Sequence, residues 1–244
     1  SAAFILEEGF PIEQLERIVD SLATAARAAG VPVVTGDTKV VDRGKGDGVY
    51  INTAGIGVVA PNADVRPRRI RAGDIVLVNG DVGRHGIAVM AMREGLEFET
   101  TIESDSAPVI EPVMRLIDAG IPVHCLRDLT RGGLASALNE LAADCDCAFE
   151  LDESEIPVRG DVQSACELLG LDPLYVACEG RFVAFVPADH ADRALELLRG
   201  APEGEHARIV GRVVDGPPRV VLRTRIGATR IVDMLSGQQL PRIC

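Results

Sequence analysis

Residues 123–143, VHCLRDLTRGGLASALNELAA, contain the pattern that decides the fold. The apolar stretch 123–126 predicts a strand, a polar loop with two glycines follows, and the apolar spacing of 134–143 predicts a helix. The same order of strand, turn and helix recurs at residues 75–94 and 149–169. This alternation predicts an α+β protein in which strands and helices form layers.

The predicted elements divide the chain into three parts. Residues 1–68 hold one helix and two or three strands, including strands at 31–35 and 49–60, too few elements to make a stable core. We therefore expect an incomplete N-terminal α/β domain. Residues 69–230 are predicted to form a layered α/β C-terminal domain, and residues 231–244, without periodicity, an extended tail.

The predicted C-terminal domain closes on a pair of strands. Residues 209–213 and 220–223 are rich in β-branched side chains. The glycine and two prolines at residues 216–218 lie between them and mark a turn. We expect the two strands to pair as a hairpin.

Composition and charge limit the classes of function. The 244 residues carry a net charge of −12, with acids and bases interspersed. We expect no nucleic-acid partner, because such proteins usually show a basic stripe. No apolar run approaches the roughly 20 residues of a membrane helix, so we expect no membrane attachment. The six cysteines lack the spacing of a disulfide scaffold, which predicts a cytoplasmic protein, and the isolated pair Cys145 and Cys147 is only a weak indication of zinc.

The tetrapeptide Gly36-Asp37-Thr38-Lys39 follows the strand predicted at residues 31–35. Ligands often bind where strands end in proteins of this kind. The Asp37 carboxylate can hold Mg²⁺, which prefers one or two carboxylates together with phosphate oxygens. Lys39 can neutralise phosphate charge. A polar turn with one ion pair is the alternative interpretation.

Two glycine-rich turns, at residues 80–86 and 127–134, each connect a predicted strand to a helix. Glycine lets the backbone approach a ligand closely, and the N–H groups that begin a helix attract anions. In the second turn the candidate phosphate-binding residues are Asp128, Thr130 and Gly132. Asp128 and Thr130 could instead cap the helix that follows. Two such turns in one domain favour a phosphate-binding cleft.

Glu179 precedes the strand predicted at residues 182–186. A carboxylate beside a strand in a mostly apolar stretch can have a raised pKa, which suits a general base. An ordinary turn before a strand is the alternative interpretation.

Cys244 is the last residue of the chain. An extended chain from Ser236 to Cys244 would span roughly 25–30 Å, so the terminal thiol can reach into a narrow opening. The terminal carboxylate disfavours the thiolate, whereas Arg242 favours it. A disordered end that happens to carry a cysteine is the alternative interpretation.

Together these segments resemble the HypE family, the carbamoyl dehydratases of [NiFe]-hydrogenase maturation, within the ATP-binding superfamily of aminoimidazole ribonucleotide synthetase. The resemblance extends over essentially the whole chain. Its most specific motifs are FILEEG at 4–9, TGDTKVV at 35–41, NTAG at 52–55, DLTRGGL at 128–134, DMLSG at 233–237 and PRIC at 241–244. The terminal motif distinguishes this family from its superfamily relatives.

The resemblance implies chemistry on the terminal thiol. A HypF-type carbamoyltransferase would place a carbamoyl group on Cys244, and dehydration with ATP and Mg²⁺ would leave a thiocyanate. The cyano group would pass to iron held by a HypC–HypD complex. The family's motifs place Asp37, Thr38 and Lys39 at ATP, with Asp37 on the metal, and make Glu179 the base. The family also implies a homodimer.

Two departures and three rival functions stay open. Cys178 stands where the family has Asn, which affects any contact of that amide. Family members also contain residues before the point where this chain starts, so we expect weak or absent ATP turnover from these 244 residues. A small-molecule synthetase or kinase would not need Cys244. A non-catalytic carrier would not need Lys39 or Glu179, and an inactive structural fragment would need none of them.

Overall fold

The structure, a computed structural model, describes residues 1–95 and 101–235. The chain divides into two compact units, residues 1–60 and 61–244, and each contains strands and helices. The predicted α+β class is therefore confirmed. The proposed functional boundaries at residues 68 and 230 stay predictions. In the described part of the chain, no helix is both long enough and apolar enough to cross a membrane.

The first unit is a three-stranded sheet with one helix. Strand β1 (Ala2–Glu7) lies in the middle, parallel to β2 (Gly36–Val41) and antiparallel to β3 (Val49–Thr53). Helix α1 (Ile12–Ala28) connects β1 to β2. It begins directly after Pro11, whose fixed φ is compatible with the start of a helix.

The strand predicted at residues 31–35 is wrong. These residues form no strand, and the ladder with β1 begins at the pair Ala2–Gly36. Pro32 has no N–H to donate to a ladder, and Val34 is 80% exposed. The tetrapeptide 36–39 therefore lies inside a strand at the edge of the described sheet, and not in a loop after one.

The strand predicted at residues 49–60 is too long. β3 ends at Thr53, which pairs with Ala2 at the start of β1. The Ala54 N–H donates to the Ser1 carbonyl. Residues 54–60 lie outside the ladder, and Ile56 is fully exposed.

The second unit contains a seven-stranded sheet and five of the described helices. Its strands are β4 (Asp74–Val78), β5 (Cys125–Asp128), β6 (Ala148–Asp152), β7 (Phe182–Pro187), β8 (Arg208–Val214), β9 (Arg219–Arg223) and β10 (Thr229–Val232). Its helices are α2 (Arg84–Glu94), α3 (Ile110–Asp118), α4 (Gly133–Cys145), α5 (Gly160–Leu169) and α6 (Ala191–Arg199). The strand order is β10-β9-β6-β8-β4-β7-β5. All neighbours are antiparallel except the parallel pair β6 and β9.

The predicted hairpin between β8 and β9 is also wrong. β6 lies between them, antiparallel to β8 and parallel to β9. Pro217 and Pro218 cannot donate the N–H bonds of a tight hairpin turn. In the observed order, β6 has a strand on each side and its Phe149 is completely buried.

The sheet separates two apolar layers. Along β4, Val76 and Val78 face the layer that contains α4, whereas Leu77 faces the layer that contains α3 and α6. This follows from the alternation of side chains along a strand. A third apolar cluster joins α2 and α5 beside the loop that carries Ile102.

Candidate functional site

The strand directions in the second unit bring the two glycine-rich turns together. β4 and β5 are both antiparallel to β7, one on each side of it. Their carboxyl ends therefore flank the amino end of β7. The turn after β4 leads into α2, the turn after β5 leads into α4, and Glu179 lies just before β7.

Hydrogen bonds tie both turns to the segment that precedes β7. In the first turn, the Gly83 N–H donates to Cys178 Sγ at 3.2 Å and the Gly86 N–H donates to the Ala177 carbonyl at 3.0 Å. In the second, the Leu129 carbonyl accepts from the Cys178 N–H at 3.0 Å. Because Gly83 and Gly86 already donate inside the protein, α2 offers an anion fewer free N–H groups than the sequence suggests.

The second turn depends on its glycines. Gly132 and Gly133 have φ of 77° and 59°, in the left-handed region. A Cβ at Gly133 would lie 2.6 Å from the carbonyl oxygens of Leu174 and Val176. The turn can therefore pack against the segment before β7 only with glycine at this position.

Asp128 and Thr130 are not caps. Among the described residues, no side chain caps α4. The Thr130 hydroxyl instead donates to Asp128 Oδ2 at 2.7 Å, and Arg127 pairs with the other oxygen of Asp128. Arg127 also pairs with Glu140 at 3.0 Å. The capping alternative is thus wrong, and the two side chains stay together at the end of β5.

Glu179 is partly buried, and one of its oxygens lacks a hydrogen bond. Burial is the main cause that raises its pKa. His85 opposes this shift, whereas the like charges of Asp105 and Asp128 add to it. Glu179 Oε1 is buried and has no partner within the described ranges. The side chain therefore has the raised pKa that the sequence suggests for a base.

Asp105 belongs to this site, although no motif marks it in the sequence. It lies in the loop between α2 and α3, is 3% exposed, and accepts the Glu179 N–H at 2.7 Å. His85 at the start of α2 contacts Ser104 of the same loop, with 2.8 Å between Nδ1 and Oγ. Hydrogen bonding between residues so far apart in the chain has no local sequence pattern.

A buried ionic cluster holds the backbone around Glu179. Asp81 accepts hydrogen bonds from Arg84 Nε at 2.9 Å and from an Arg181 terminal nitrogen at 2.8 Å. The Arg181 guanidinium also donates to the Gly180 carbonyl. Asp81 and Arg181 are 3% and 6% exposed. The peptide that follows Glu179 is therefore fixed from inside the protein.

Cys178 is structural in this chain. Its side chain is completely buried, its sulfur accepts the Gly83 N–H, and burial raises the pKa of the thiol. The thiol therefore stays neutral and points into the protein. Cys178, which stands where the family has Asn, therefore makes its contact with Gly83 in the interior of the protein.

In the first unit, the strand register places two of the three candidate ATP-binding residues of β2 on one face. Asp37 and Lys39 point to the same side of β2, opposite to Thr38, and all three are exposed. Asn52 of β3 lies on that face too, with Ala3 of β1 between it and Asp37. Sequence reasoning noted Asn52 only as part of a motif, because the register that brings it there is not local.

No ion pair joins Asp37 and Lys39, so that alternative interpretation is wrong for the described structure. Asp37 Oδ1 accepts the Thr38 N–H at 2.8 Å, and Lys39 has no hydrogen-bonding or ionic partner in the described part of the chain. Both charges are therefore available to a ligand.

In the first unit, Asp37 offers one carboxylate as a ligand for Mg²⁺. Asp37 Oδ2 is exposed and fits a magnesium ion that takes its other ligands from phosphate and water. Residues 1–95 and 101–235 contain no cluster of three or more His, Cys, Asp and Glu side chains that could hold a metal by themselves. Cys145 and Cys147 are consistent with this, since both are free thiols. Of the tail predicted at residues 231–244, Ile231 and Val232 belong to strand β10. Residues 236–244, which include Cys244, lie outside the described residues.

Comparison with protein families identifies both units. Residues 71–223 match the AIR synthase related protein, C-terminal domain. Residues 1–59 match the corresponding N-terminal domain.

Comparison with individual proteins narrows the family. The carbamoyl dehydratase HypE of Azotobacter vinelandii is 53% identical over 245 residues, which cover 100% of this chain and 72% of that protein. A crystal structure of HypE in complex with ATP has a TM-score of 0.95 and 43% identity, covering 100% of this chain and 74% of that one. A HypE–HypF complex gives a TM-score of 0.93 and 46% identity, covering 95% and 76%. The chain therefore belongs to the HypE family of carbamoyl dehydratases, the hydrogenase maturation proteins.

Proposed function

We propose that this protein dehydrates a carbamoyl group carried on the Cys244 thiol, using ATP, and leaves a thiocyanate that supplies the cyanide ligands of hydrogenase iron. The name of its relatives and the ATP in a related structure support the reaction class. The observation that carries the proposal is Glu179, a partly buried carboxylate with a raised pKa and a free oxygen beside the two glycine-rich turns.

The reaction must convert an amide oxygen into a leaving group and remove both protons from the amide nitrogen. The carbonyl oxygen of the thiocarbamate attacks the γ-phosphorus and ADP leaves. The C–O bond then breaks, phosphate departs with that oxygen, and the carbon–nitrogen triple bond forms. Glu179 takes a proton from the nitrogen, for which its raised pKa is suited.

We propose phosphate-binding roles for two sets of residues, each described within its own unit. Lys39 neutralises the γ-phosphate and Asp37 holds Mg²⁺, with Thr38 in the same motif. Asp128, Thr130 and Gly132 contribute phosphate contacts in the second unit. Mg²⁺, when bound, supplies further positive charge to the phosphates.

The proposed partners follow the family. The known HypE–HypF complex supports a HypF-type carbamoyltransferase as the donor of the carbamoyl group. We propose a HypC–HypD complex as the acceptor of the cyano group, a homodimer as the assembled form and the cytoplasm as the compartment. We also propose that residues 1–68 serve ATP, residues 69–230 form the C-terminal domain, and residues 231–244 carry the thiol.

Intact mass under single-turnover conditions tests the function. The protein is carbamoylated by the transferase and then incubated with Mg-ATP. Loss of one water, absent in Cys244→Ala and retained in the control Cys145→Ser, is the expected result. A carbamoyl mass that never loses water would indicate the non-catalytic carrier. No modification of Cys244 would contradict both functions.

A further inference from the structure

The loop that carries Asp105 is held against the backbone of Glu179. Ile102 anchors the loop in the apolar cluster between α2 and α5. On the other side, a Cβ at Gly180 would lie 2.1 Å from the Asp105 carbonyl oxygen and 3.0 Å from the Ala107 nitrogen. The contact therefore depends on glycine at position 180, and it fixes Asp105 although residues 101–109, the described part of this loop, form no helix or strand.

Asp105 and Glu179 each present a buried oxygen without a hydrogen-bond donor. Asp105 Oδ1 accepts the Glu179 N–H at 2.7 Å, but Asp105 Oδ2 has no partner among the described residues. The same holds for Glu179 Oε1. A buried carboxylate oxygen without a donor is costly, so two of them on residues joined by a hydrogen bond indicate donors that a ligand brings.

The nearby cationic side chains are engaged elsewhere. Arg84 and Arg181 both bind Asp81, and Arg127 binds Asp128 and Glu140. The groups that face Glu179 are therefore His85 and the two carboxylates Asp105 and Asp128. His85 Nδ1 is within hydrogen-bonding distance of Ser104. Among the described residues, neither free oxygen accepts a hydrogen bond, and these three arginines do not pair with Asp105 or Glu179.

We propose that Asp105 and Glu179 together bind the NH₂ group of the substrate amide, with Asp105 accepting one N–H and Glu179 accepting the other. This inference rests on the proposed function and adds Asp105 to it as a residue that touches the substrate. A carboxylate oxygen only accepts hydrogen bonds, and a primary amide nitrogen donates two. The two free oxygens match those two hydrogens in number and in kind.

The assignment also fits the chemistry, since both hydrogens must leave this one nitrogen. The first proton goes to Glu179 as the carbonyl oxygen becomes phosphorylated. Asp105 meanwhile holds the second N–H and so fixes the orientation of the nitrogen. The second proton passes to the departing phosphate as the C–O bond breaks and the triple bond closes.

The contact can be measured without turnover and without the transferase. ¹⁵N-cyanate adds to a thiol and forms the same S-carbamoyl group. Cys145 and Cys147 are replaced by Ser in every sample, and burial raises the pKa of Cys125 to about 11 and of Cys166 to about 11, so these thiols react slowly. Buried Cys178 has a raised pKa as well. A Cys244→Ser sample identifies the remaining signals of carbamoylated amines.

We expect both N–H protons of the carbamoyl group on Cys244 to shift downfield and to exchange with water more slowly than in a free peptide of residues 236–244. Asp105→Asn keeps an oxygen for the Glu179 N–H, and it should return one of the two protons to its free position. Asp161→Asn is the matched control, because Asp161 also accepts a backbone N–H, from Val162 at 2.9 Å. Its spectrum should equal that of the parent.

Two results would overturn the inference. One is a spectrum that Asp105→Asn leaves unchanged. The other, which needs no variant and therefore covers the case in which Asp105→Asn misfolds, is free-peptide exchange rates for both protons in the parent protein.

Kinetics separates this inference from the proposed function. With the transferase-loaded protein and Mg-ATP, Asp105→Asn should slow the loss of water about 100-fold, and Asp161→Asn should not. The acidic limb of the rate–pH profile should also move to lower pH, because Asp105 no longer raises the pKa of Glu179. Water loss at the parent rate contradicts the role of Asp105 alone. If the parent loses no water, the proposed function fails, and the spectra still decide whether Asp105 binds the amide.

Discussion

Two neighbouring groups of buried carboxylates in the second unit have opposite electrostatics. At Asp81, burial alone would raise the pKa, but the hydrogen bonds and charges of Arg181 and Arg84 outweigh it and lower the pKa. At Glu179, burial raises the pKa, and the nearby carboxylates add to the shift. Only Gly180 separates Glu179 from Arg181 in the chain.

The difference distinguishes a carboxylate paired with arginines from carboxylates that keep an oxygen without a donor. Asp81 has donors from two arginines, so its charge is fixed and it holds the turn after β4 to the start of β7. Asp105 and Glu179 keep free oxygens in a buried place. A carboxylate with a raised pKa, as at Glu179, is typical of functional sites.

The largest expected effect is a loss of folding stability at Asp81, whose charge is compensated by two arginines. Asp81→Ala leaves the Arg181 guanidinium buried without its partner, which should reduce the free energy of unfolding by about 3–5 kcal/mol. Urea unfolding measures this. Glu111→Ala is the control, because it breaks the exposed pair with Arg115 and should cost about 0.5 kcal/mol or less. Equal losses in the two variants would mean that Asp81 is not a structural anchor.

At Glu179, which keeps an oxygen without a donor, we expect a loss of activity. Glu179→Gln removes the base, so the rate of water loss from the carbamoylated protein should fall about 10²–10⁴-fold while folding is retained. Glu167→Gln, an exposed glutamate on α5, is the control and should keep the parent rate. If Glu179→Gln kept the parent rate, Glu179 would not be the base.

Lys39 extends the comparison to an exposed charge without a partner. Since it contacts no charged group in the described part of the chain, Lys39→Ala should leave the unfolding free energy within about 0.5 kcal/mol of the parent. The affinity for Mg-ATP should fall about 10- to 100-fold, as for the loss of one charged hydrogen bond. Calorimetric titration measures it, with Lys45→Ala as the control. Unchanged affinity would rule out the phosphate contact.

The smallest expected effect is a pH dependence of opposite sign in the two groups. The raised pKa of Glu179 means that its charged form disfavours folding, so its contribution is favourable below its unfolded pKa and is lost as pH rises through its folded pKa. Glu179→Gln should therefore be slightly more stable than the parent at pH 7, and the difference should vanish in acid. The contribution of Asp81 is present above its unfolded pKa and is lost as pH falls through its folded pKa. Unfolding curves across pH check both signs.

Several elements were predictable because their causes are local. The helix after Pro11 and the helix at residues 134–143 follow from apolar spacing and flanking residues, and the structure confirms them as α1 and α4. Glu179 was also found from its setting before an apolar strand. The strand at 31–35 was wrong because apolar content does not replace a partner, and Pro32 weakens the ladder there.

Strand pairing could not be predicted in the same way. The glycine and prolines at residues 216–218 suggested a hairpin, yet β6 enters the sheet between β8 and β9 from more than fifty residues earlier in the chain. Which strand fills that position depends on burying the apolar face of β6, and this is a property of the whole layer.

The amino-acid sequence by itself determined the α+β class, the glycine-rich turns, the family motifs and Glu179 as a candidate base, because these depend on residue types and short spacings. The tertiary structure alone decided that Asp105 meets Glu179 across 74 positions of the chain, that Asn52 shares a face with Asp37, and that Asp128 does not cap α4. Such contacts depend on how distant segments pack, and a carboxylate becomes reactive or structural only when that packing places donors around it or leaves them out.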